Sequence, residues 1–346
     1  TANARARRIR KKSSGGPAGY FTPARVGGPC MTVLVTGATG FVGRNVVSGL
    51  VSRGVPVRAL ARSTRSAAAL DGSGADIALG DVTNPRSLAD AMQGIESVIH
   101  LAAVIREGKG ATFLGVNYQG TANVLAAAKA AGVKRLVHAG TIGAASDPAY
   151  AYMCSRWMAE EAVKQSGIPY TILRFSVGFG EGDEFFNVLA AQAKLSPILP
   201  VAGSGKAVFQ PIAVEDSARC LVEALDKSGL AGKTVELGGP ERLTYDQMLD
   251  AVSEALGVKT LKLHLPLAMV RPAVWLMERV MPRPPVTSEQ LKMLDHDSVA
   301  ELDAVRKHFG FEPVPVRGSL GYLKRIGLMD ALMINMGRMP KHIRDH

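Results

Sequence analysis

Cysteine is scarce in this chain. Only three stand in 346 residues, Cys30, Cys154 and Cys220. Far apart and odd in number, they exclude a disulfide framework and a cysteine-built metal cage, and they suit free thiols in a reducing compartment. Long apolar runs are also missing. The nearest approach, Leu263 to Met281, is broken by His264, Arg271, Glu278 and Arg279, so no segment has the length and apolarity of a membrane span. Acid is absent from residues 1–30, which carry seven Lys/Arg (Arg5, Arg7, Arg8, Arg10, Lys11, Lys12, Arg25). That stretch accounts for most of the formal charge of +11, because the remainder holds 34 basic against 30 acidic residues. Its only aromatics are Tyr20 and Phe21, which argues against nucleic acid as a partner. Residues 1–30 are expected to be a disordered basic extension, sequence translated upstream of a start at Met31, or an organellar presequence without a clear apolar face.

The rest has an ordinary globular balance, 47% hydrophobic and 21% charged. One stretch organises it, Val33-Leu-Val-Thr-Gly-Ala-Thr-Gly-Phe-Val-Gly43. Four apolar or β-branched residues read as a buried strand and run straight into glycines at 37, 40 and 43 before a helical pattern begins. Gly37 permits a sharp turn, Gly40 lets backbone approach a pyrophosphate, and Gly43 lets helix and strand pack closely. The N–H groups and positive dipole end of the helix then face the phosphates. Thr36, Gly37, Thr39, Gly40, Phe41, Val42 and Gly43 are thus the expected cradle for a dinucleotide.

Strand and helix alternate from Met31 onward. Val33–Thr36, Val55–Leu60, Ile77–Leu79, Val98–Leu101, Arg135–His138 and Tyr170–Leu173 read as six short buried strands, separated by helices such as 42–52 and 120–131. This pattern predicts an α/β Rossmann fold, a doubly wound parallel sheet, with a smaller α/β C-terminal lobe. The expected organisation is a dinucleotide-binding domain over 31–175 with its sheet completed by later segments, a substrate lobe over 176–320, and a Met-rich basic tail over 321–346. In the lobe, Thr244-Tyr-Asp-Gln247 has the form of a capping box. Leu265 to Met281 and Leu320 to Met339 are rich in adaptable methionine, and either pack on their own lobe or form a docking face for a partner or membrane surface.

A dinucleotide makes a second demand at the end of the second strand, where a carboxylate would hold a ribose hydroxyl and a cation a 2′-phosphate. Arg58-Ala-Leu-Ala-Arg-Ser63 offers no acid, so Arg62 points to NADP(H) over NAD(H), and Arg44 is a candidate for a second charge. Leu101, Ala102 and Ala103 close the fourth strand with small residues, as a cofactor lying across the strand ends requires. Arg174 and Arg219 are substrate candidates by location only, with structural ion pairs as the plainer role.

The spacing of Thr36-Gly-Ala-Thr-Gly-Phe-Val-Gly43, together with Asn117-Tyr-Gln-Gly-Thr121, resembles the extended and atypical short-chain dehydrogenase/reductases. That resemblance implies adenine contacts from Asp81 and Val82 and a cofactor-side role for Asn117. It also implies a catalytic set of Thr141, orienting a substrate oxygen, Tyr152, transferring a proton, and Arg156, standing where the family has lysine. A fixed cation four residues after Tyr152 shares its helix face and favours a phenolate, but guanidinium is planar and bulkier than ammonium. Tyr150 has Cys154 four residues on and reads as a loop residue beside the site. No metal is implied.

Three further stretches, Tyr170 to Phe185, Pro197 to Gly205 with Phe209 to Asp216, and Pro285 to Met293, are similar to the atypical members related to the 39 kDa accessory subunit of respiratory complex I. Phe175 departs from that group, which usually has proline there. The resemblance implies tightly held NADPH in a structural or sensing role, a respiratory complex or membrane surface as partner, and a cytoplasmic location, peripheral at the inner membrane. Its alternative is an active NAD(P)-dependent oxidoreductase or epimerase acting on a nucleotide-sugar or other carbonyl through Thr141 and Tyr152.

Overall fold

The computed structural model describes residues 31–344 apart from 109, 282, 283 and 295. The basic extension, with Cys30, lies outside the described residues. Seven parallel strands form the central sheet: β1 Val33–Thr36, β2 Val57–Ala61, β3 Asp76–Leu79, β4 Ser97–His100, β5 Arg135–Thr141, β6 Tyr170–Phe175 and a seventh, Lys233–Leu237. From one edge the order is β3, β2, β1, β4, β5, β6 and the seventh strand. Order reverses between β1 and β4, which places a crevice outside their carboxyl ends.

Alternation along the strands explains the two covered faces. Val33, Val35, Ile99, Val137 and Leu173 point to one side, where they meet Val46, Val47 and Leu50 of helix α1 (Phe41–Ser52) and Leu221 and Val222 of the helix Val214–Glu223. Leu34, Val98, Leu136 and Ile172, one residue out of step, face Leu88, Val124 and Val163 on the other side. A strand buried on both faces reads as an unbroken apolar run, which is why β1 was legible.

β3 departs from the expected six buried strands. It is an edge strand, with Leu79 54% exposed and Asp76 paired to Arg58 of β2 at 3.0 Å. A charged, short edge of this kind resists pairing with another chain. The seventh strand pairs in register with β6 from Lys233 opposite Thr171 to Leu237 opposite Phe175, so segments beyond residue 175 complete the sheet.

The second lobe has its own core, built on Phe186, Leu189, Leu199, Val201, Met248 and Val252. Its helix Tyr245–Leu256 begins with the expected capping box: Thr244 accepts from the Gln247 amide, and Gln247 accepts from the Thr244 amide. Asp183 caps the helix Phe185–Leu195, its Oδ1 accepting from the Phe186 amide at 2.6 Å while Tyr322 donates to Oδ2 at 2.5 Å. Burial raises the Asp183 carboxyl to about 6 against the pull of these donors. The segment expected as a tail is folded in as well. Leu323, Ile326, Ala331 and Ile334 are buried in the lobe core, while Leu328, Met329, Leu332 and Met336 are exposed.

Leu50 is fully buried between α1 and the sheet. Leu50→Ala is expected to cost about 2–5 kcal/mol of stability through lost transfer energy and a residual cavity, read by urea unfolding. A loss below about 1 kcal/mol would contradict this packing.

Candidate dinucleotide and active site

Gly37 has φ +70, and a Cβ there would stand 2.8 Å from the Ala102 amide nitrogen. A Cβ on Gly43 would stand 2.1 Å from the Gly37 carbonyl oxygen, so only glycine lets α1 close onto the turn. Gly40 is the exposed residue at the N-cap of α1; no side chain caps the helix, and its first turn contains no acid. The first amides of a helix have no intrahelical acceptor, and here no acid in the first turn balances the dipole. Backbone donors without a side-chain cap, backed by a turn that a Cβ would fill, suit a pyrophosphate. Thr39, Phe41 and Val42 are half-buried around the same turn.

Thr36 is fully buried and acts through its neighbours. Its hydroxyl accepts from the Leu101 and Ala102 amides at 3.3 and 3.4 Å and lies 2.6 Å from His100 Nδ1. His100 Nε2 lies 2.9 Å from the Thr121 hydroxyl, which itself donates to the Asn117 carbonyl. With that proton committed, Thr121 accepts from Nε2–H and Thr36 donates to Nδ1, which fixes a neutral Nε2–H imidazole. This chain of hydrogen bonds ties the end of β1 to the end of β4 and sets the loop of Leu101, Ala102 and the exposed Ala103 against the glycine turn.

Asn117 is also fully buried. Its amide brackets the Val104 backbone, accepting from N–H at 2.8 Å and donating to C=O at 3.1 Å, and it donates to Ser155 Oγ at 3.0 Å. Its side chain is thus engaged by Val104 and Ser155. Ser155 donates to the Tyr152 carbonyl at 2.7 Å, which connects this clamp to the helix Ala151–Gln165. Asp81 Oδ1 accepts from the Thr83 amide and hydroxyl, both at 2.8 Å, as a turn cap, and Val82 is core, with its carbonyl taken by Asn123.

Arg62 leaves β2 at its carboxyl end, exposed and with no hydrogen bond or ion pair among the described residues. Three residues on stands Arg65, also exposed, in the short helix Thr64–Ala67 that Ser63 caps. Arg65 was overlooked in the sequence, although the run Arg62-Ser-Thr-Arg65 carries it openly. Arg44, proposed as the second cation, donates to the Arg344 carbonyl at 2.6 Å and so joins α1 to the C-terminal segment.

Thr141 ends β5, and the structure shows no hydrogen bond from it to Tyr152. Their elements adjoin: Met153 Cε lies 3.4 Å from where a Gly143 Cβ would stand. Tyr152 is buried, and its ring meets Phe113 edge-on at 5.6 Å between centroids. Phe113 opens a π-helical turn, Phe113–Gln119, a backbone form that recurs at functional sites. Arg156, one turn after Tyr152, is 4% exposed and donates to the Ala139 carbonyl on β5. Arg174 is held by Glu160 at 2.7 Å and Glu236 at 3.1 Å, and Arg219 by Glu223 at 2.8 Å, which bears out the structural role of both.

A clasp that the sequence did not reveal reaches the site from 137 residues away. Glu289 Oε2 accepts from the Tyr152 amide at 3.4 Å, at the helix end that favours a carboxylate. Lys292 donates to Ala149, and Tyr150 packs edge-on against His296 at 4.8 Å. Five residues beyond Glu289, Leu294 lines a cavity of about 160 Å³ together with Ala202, Gly203, Ser204, Gly205, Ala207, Tyr245 and Leu267. The helix Ser288–Met293 therefore joins the Tyr152 backbone to this cavity over roughly 7–8 Å of helix rise.

Residues 33–238 match the NAD dependent epimerase/dehydratase family. The chain belongs to that family. Among curated relatives, sterol demethylase protein B of Methylococcus capsulatus is 29% identical over 84% of this chain and 96% of its own length. The mitochondrial NADH dehydrogenase (ubiquinone) 1 alpha subcomplex subunit 9 of Arabidopsis thaliana is 28% identical over 80% of this chain and 72% of its own. The NADPH-dependent quinone oxidoreductase QOR2 of Escherichia coli, solved with NADPH, aligns with a TM-score of 0.69 at 21% identity, covering 84% of this chain and 99% of that one, a likeness of fold. The resemblance to the complex I subunit and the Rossmann architecture are both borne out, and a nicotinamide dinucleotide is the cofactor of the family.

Burial first, then the neighbouring Arg156 cation, lowers His100 to about 3, and the same causes together with His100 push His138 well below its usual value. Between pH 6.5 and about 3 the unfolded chain takes up protons that the folded one refuses, so these histidines stabilise the fold above that window and lose their contribution as pH falls through it. His100→Gln, whose amide can both accept and donate, is expected to flatten the acid limb of stability by about 1.4 kcal/mol per pH unit. Urea unfolding at several pH values measures it, and an unchanged slope would refute the neutral imidazole.

Proposed function

We propose that this chain is an NADP(H)-holding member of the family, of the complex I accessory-subunit type. In this reading the dinucleotide serves mainly as a structural or sensing ligand, and the C-terminal segments attach the protein to a larger partner. The observation that carries it is the state of Arg156. The cation that should assist Tyr152 is buried and engaged by the Ala139 carbonyl, which leaves the phenol without a freely placed ammonium beside it. The uncapped start of α1 would hold the pyrophosphate, and Arg62 with Arg65 would receive a 2′-phosphate.

A second reading, turnover of a carbonyl substrate, is supported by the cavity of about 160 Å³ joined to the Tyr152 helix. The nicotinamide would supply or accept hydride when bound. Thr141 would orient the substrate oxygen and Tyr152 would pass it a proton.

The two readings separate with Tyr152→Phe. On the first, NADPH affinity is unchanged and no carbonyl in a panel causes loss of nicotinamide absorbance. A substrate-dependent loss that Tyr152→Phe abolishes would overturn it. For the cofactor, Arg62→Glu is expected to weaken NADPH by roughly 10–100-fold, through a lost charge-assisted bond and added repulsion, and to leave NADH within about threefold. Equal losses would reject the role of Arg62.

A further inference from the structure

The helix Leu267–Val280 has one buried residue, Val274, among fourteen. Leu267, Val270 and Met277 flank Val274 on the side turned to the protein and are half-buried. On one solvent-exposed flank Met269, Ala273, Leu276 and Val280 follow a spacing of four, three and four residues, a single apolar stripe. Met269 is 67%, Leu276 56% and Val280 73% exposed. Beside the stripe runs a second row at four-residue spacing, Arg271, Trp275 and Arg279, all exposed, with the Arg279 guanidinium stacked 3.7 Å over the Trp275 ring. The strand pair that precedes the helix in the chain also exposes apolar side chains, Ile198, Leu261 and Leu263.

We infer that this face docks on an anionic lipid bilayer, lying in the headgroup region with the stripe of Leu276 and Val280 toward the acyl chains. Apolar side chains on one row with arginine and tryptophan on the next are what an interfacial helix presents to such a surface. The helix carries one acid, Glu278, held by the amide and hydroxyl of Ser288, against the two exposed arginines, so its net charge is positive. A second copy of the chain fits less well. Twofold pairing of antiparallel helices would bring Arg271 against its partner's Arg279 along the basic row, a repulsion that anionic headgroups turn into attraction. Leu267, at the start of this helix, lines the 160 Å³ cavity, so docking would bring the cavity to the lipid surface. This inference deepens the attachment part of the proposed function and is independent of its cofactor part.

The test uses the full chain carrying Trp157→Phe, which leaves Trp275 as the reporter. Sedimentation with vesicles of phosphatidylcholine containing phosphatidylglycerol, and a blue shift of Trp275 emission, are expected. Pure phosphatidylcholine should bind at least about fivefold more weakly, and added salt should weaken the anionic case. Leu276→Glu with Val280→Glu, and separately Arg271→Glu with Arg279→Glu, should each lower vesicle affinity about tenfold or more. NADPH affinity, measured on every variant, should not move, which verifies folding; failure of NADPH to bind the parent chain would refute the cofactor reading and leave the lipid result standing. Indifference to vesicles, or variants that bind as the parent does, would overturn the docking proposal. So would a dimer in gel filtration that the Leu276 and Val280 changes dissolve while vesicles are ignored.

Discussion

The arrangement of this molecule depends on how closely α1 approaches the strand that precedes it. Gly43 permits that approach, because any Cβ would collide with the Gly37 carbonyl, and Gly37 permits the turn, because its φ is positive and the fourth-strand loop presses on it. The result is a helix start with no cap and no acid, aimed at the crevice where sheet order reverses. A bare helix end costs stability on its own. It is retained where an anion completes it, and the family's dinucleotide has two phosphates to offer.

Around that end the chain builds a rigid polar frame. On the path from the Leu101 and Ala102 amides to Asn117, the side chains of Thr36, His100, Thr121 and Asn117 are fully buried, and each hydroxyl and ring nitrogen has a partner. Asn117 then passes order to the Tyr152 helix through Ser155. Buried networks of this kind hold geometry when complete and are costly when broken. Thr36 and Asn117, both expected at the cofactor, hold the backbone from Leu101 to Val104 in place.

How much of this was legible in the sequence follows from the range of the forces. β1, the glycine turn, the parallel alternation and the Thr244 capping box are local, written in patterns of a few residues, and all are found where the sequence placed them. The exposure of β3 was not legible, because a short apolar run looks alike at the centre and the edge of a sheet. The engagement of Arg156 by Ala139, of Arg44 by Arg344, and of the Tyr152 amide by Glu289 depends on chain segments that meet only after folding. For the C-terminal segments, composition showed two apolar, Met-rich stretches without showing which the lobe would cover; the fold buries Ile334 and leaves Leu276 and Val280 in solvent.

The central claim is that the bare start of α1 seats the phosphates, and Gly40→Asp tests it most directly. Gly40 has φ −81, which any residue adopts, a Cβ there would stand 3.2 Å from the Gly37 carbonyl oxygen and require a small shift, and aspartate is a favourable cap that also suits the helix dipole. The account predicts a cooperatively folded protein, checked by thermal unfolding, together with loss of NADPH binding by calorimetry, at least about 100-fold, because a carboxylate would occupy the anion position. An unaltered NADPH affinity in a folded Gly40→Asp protein would contradict it.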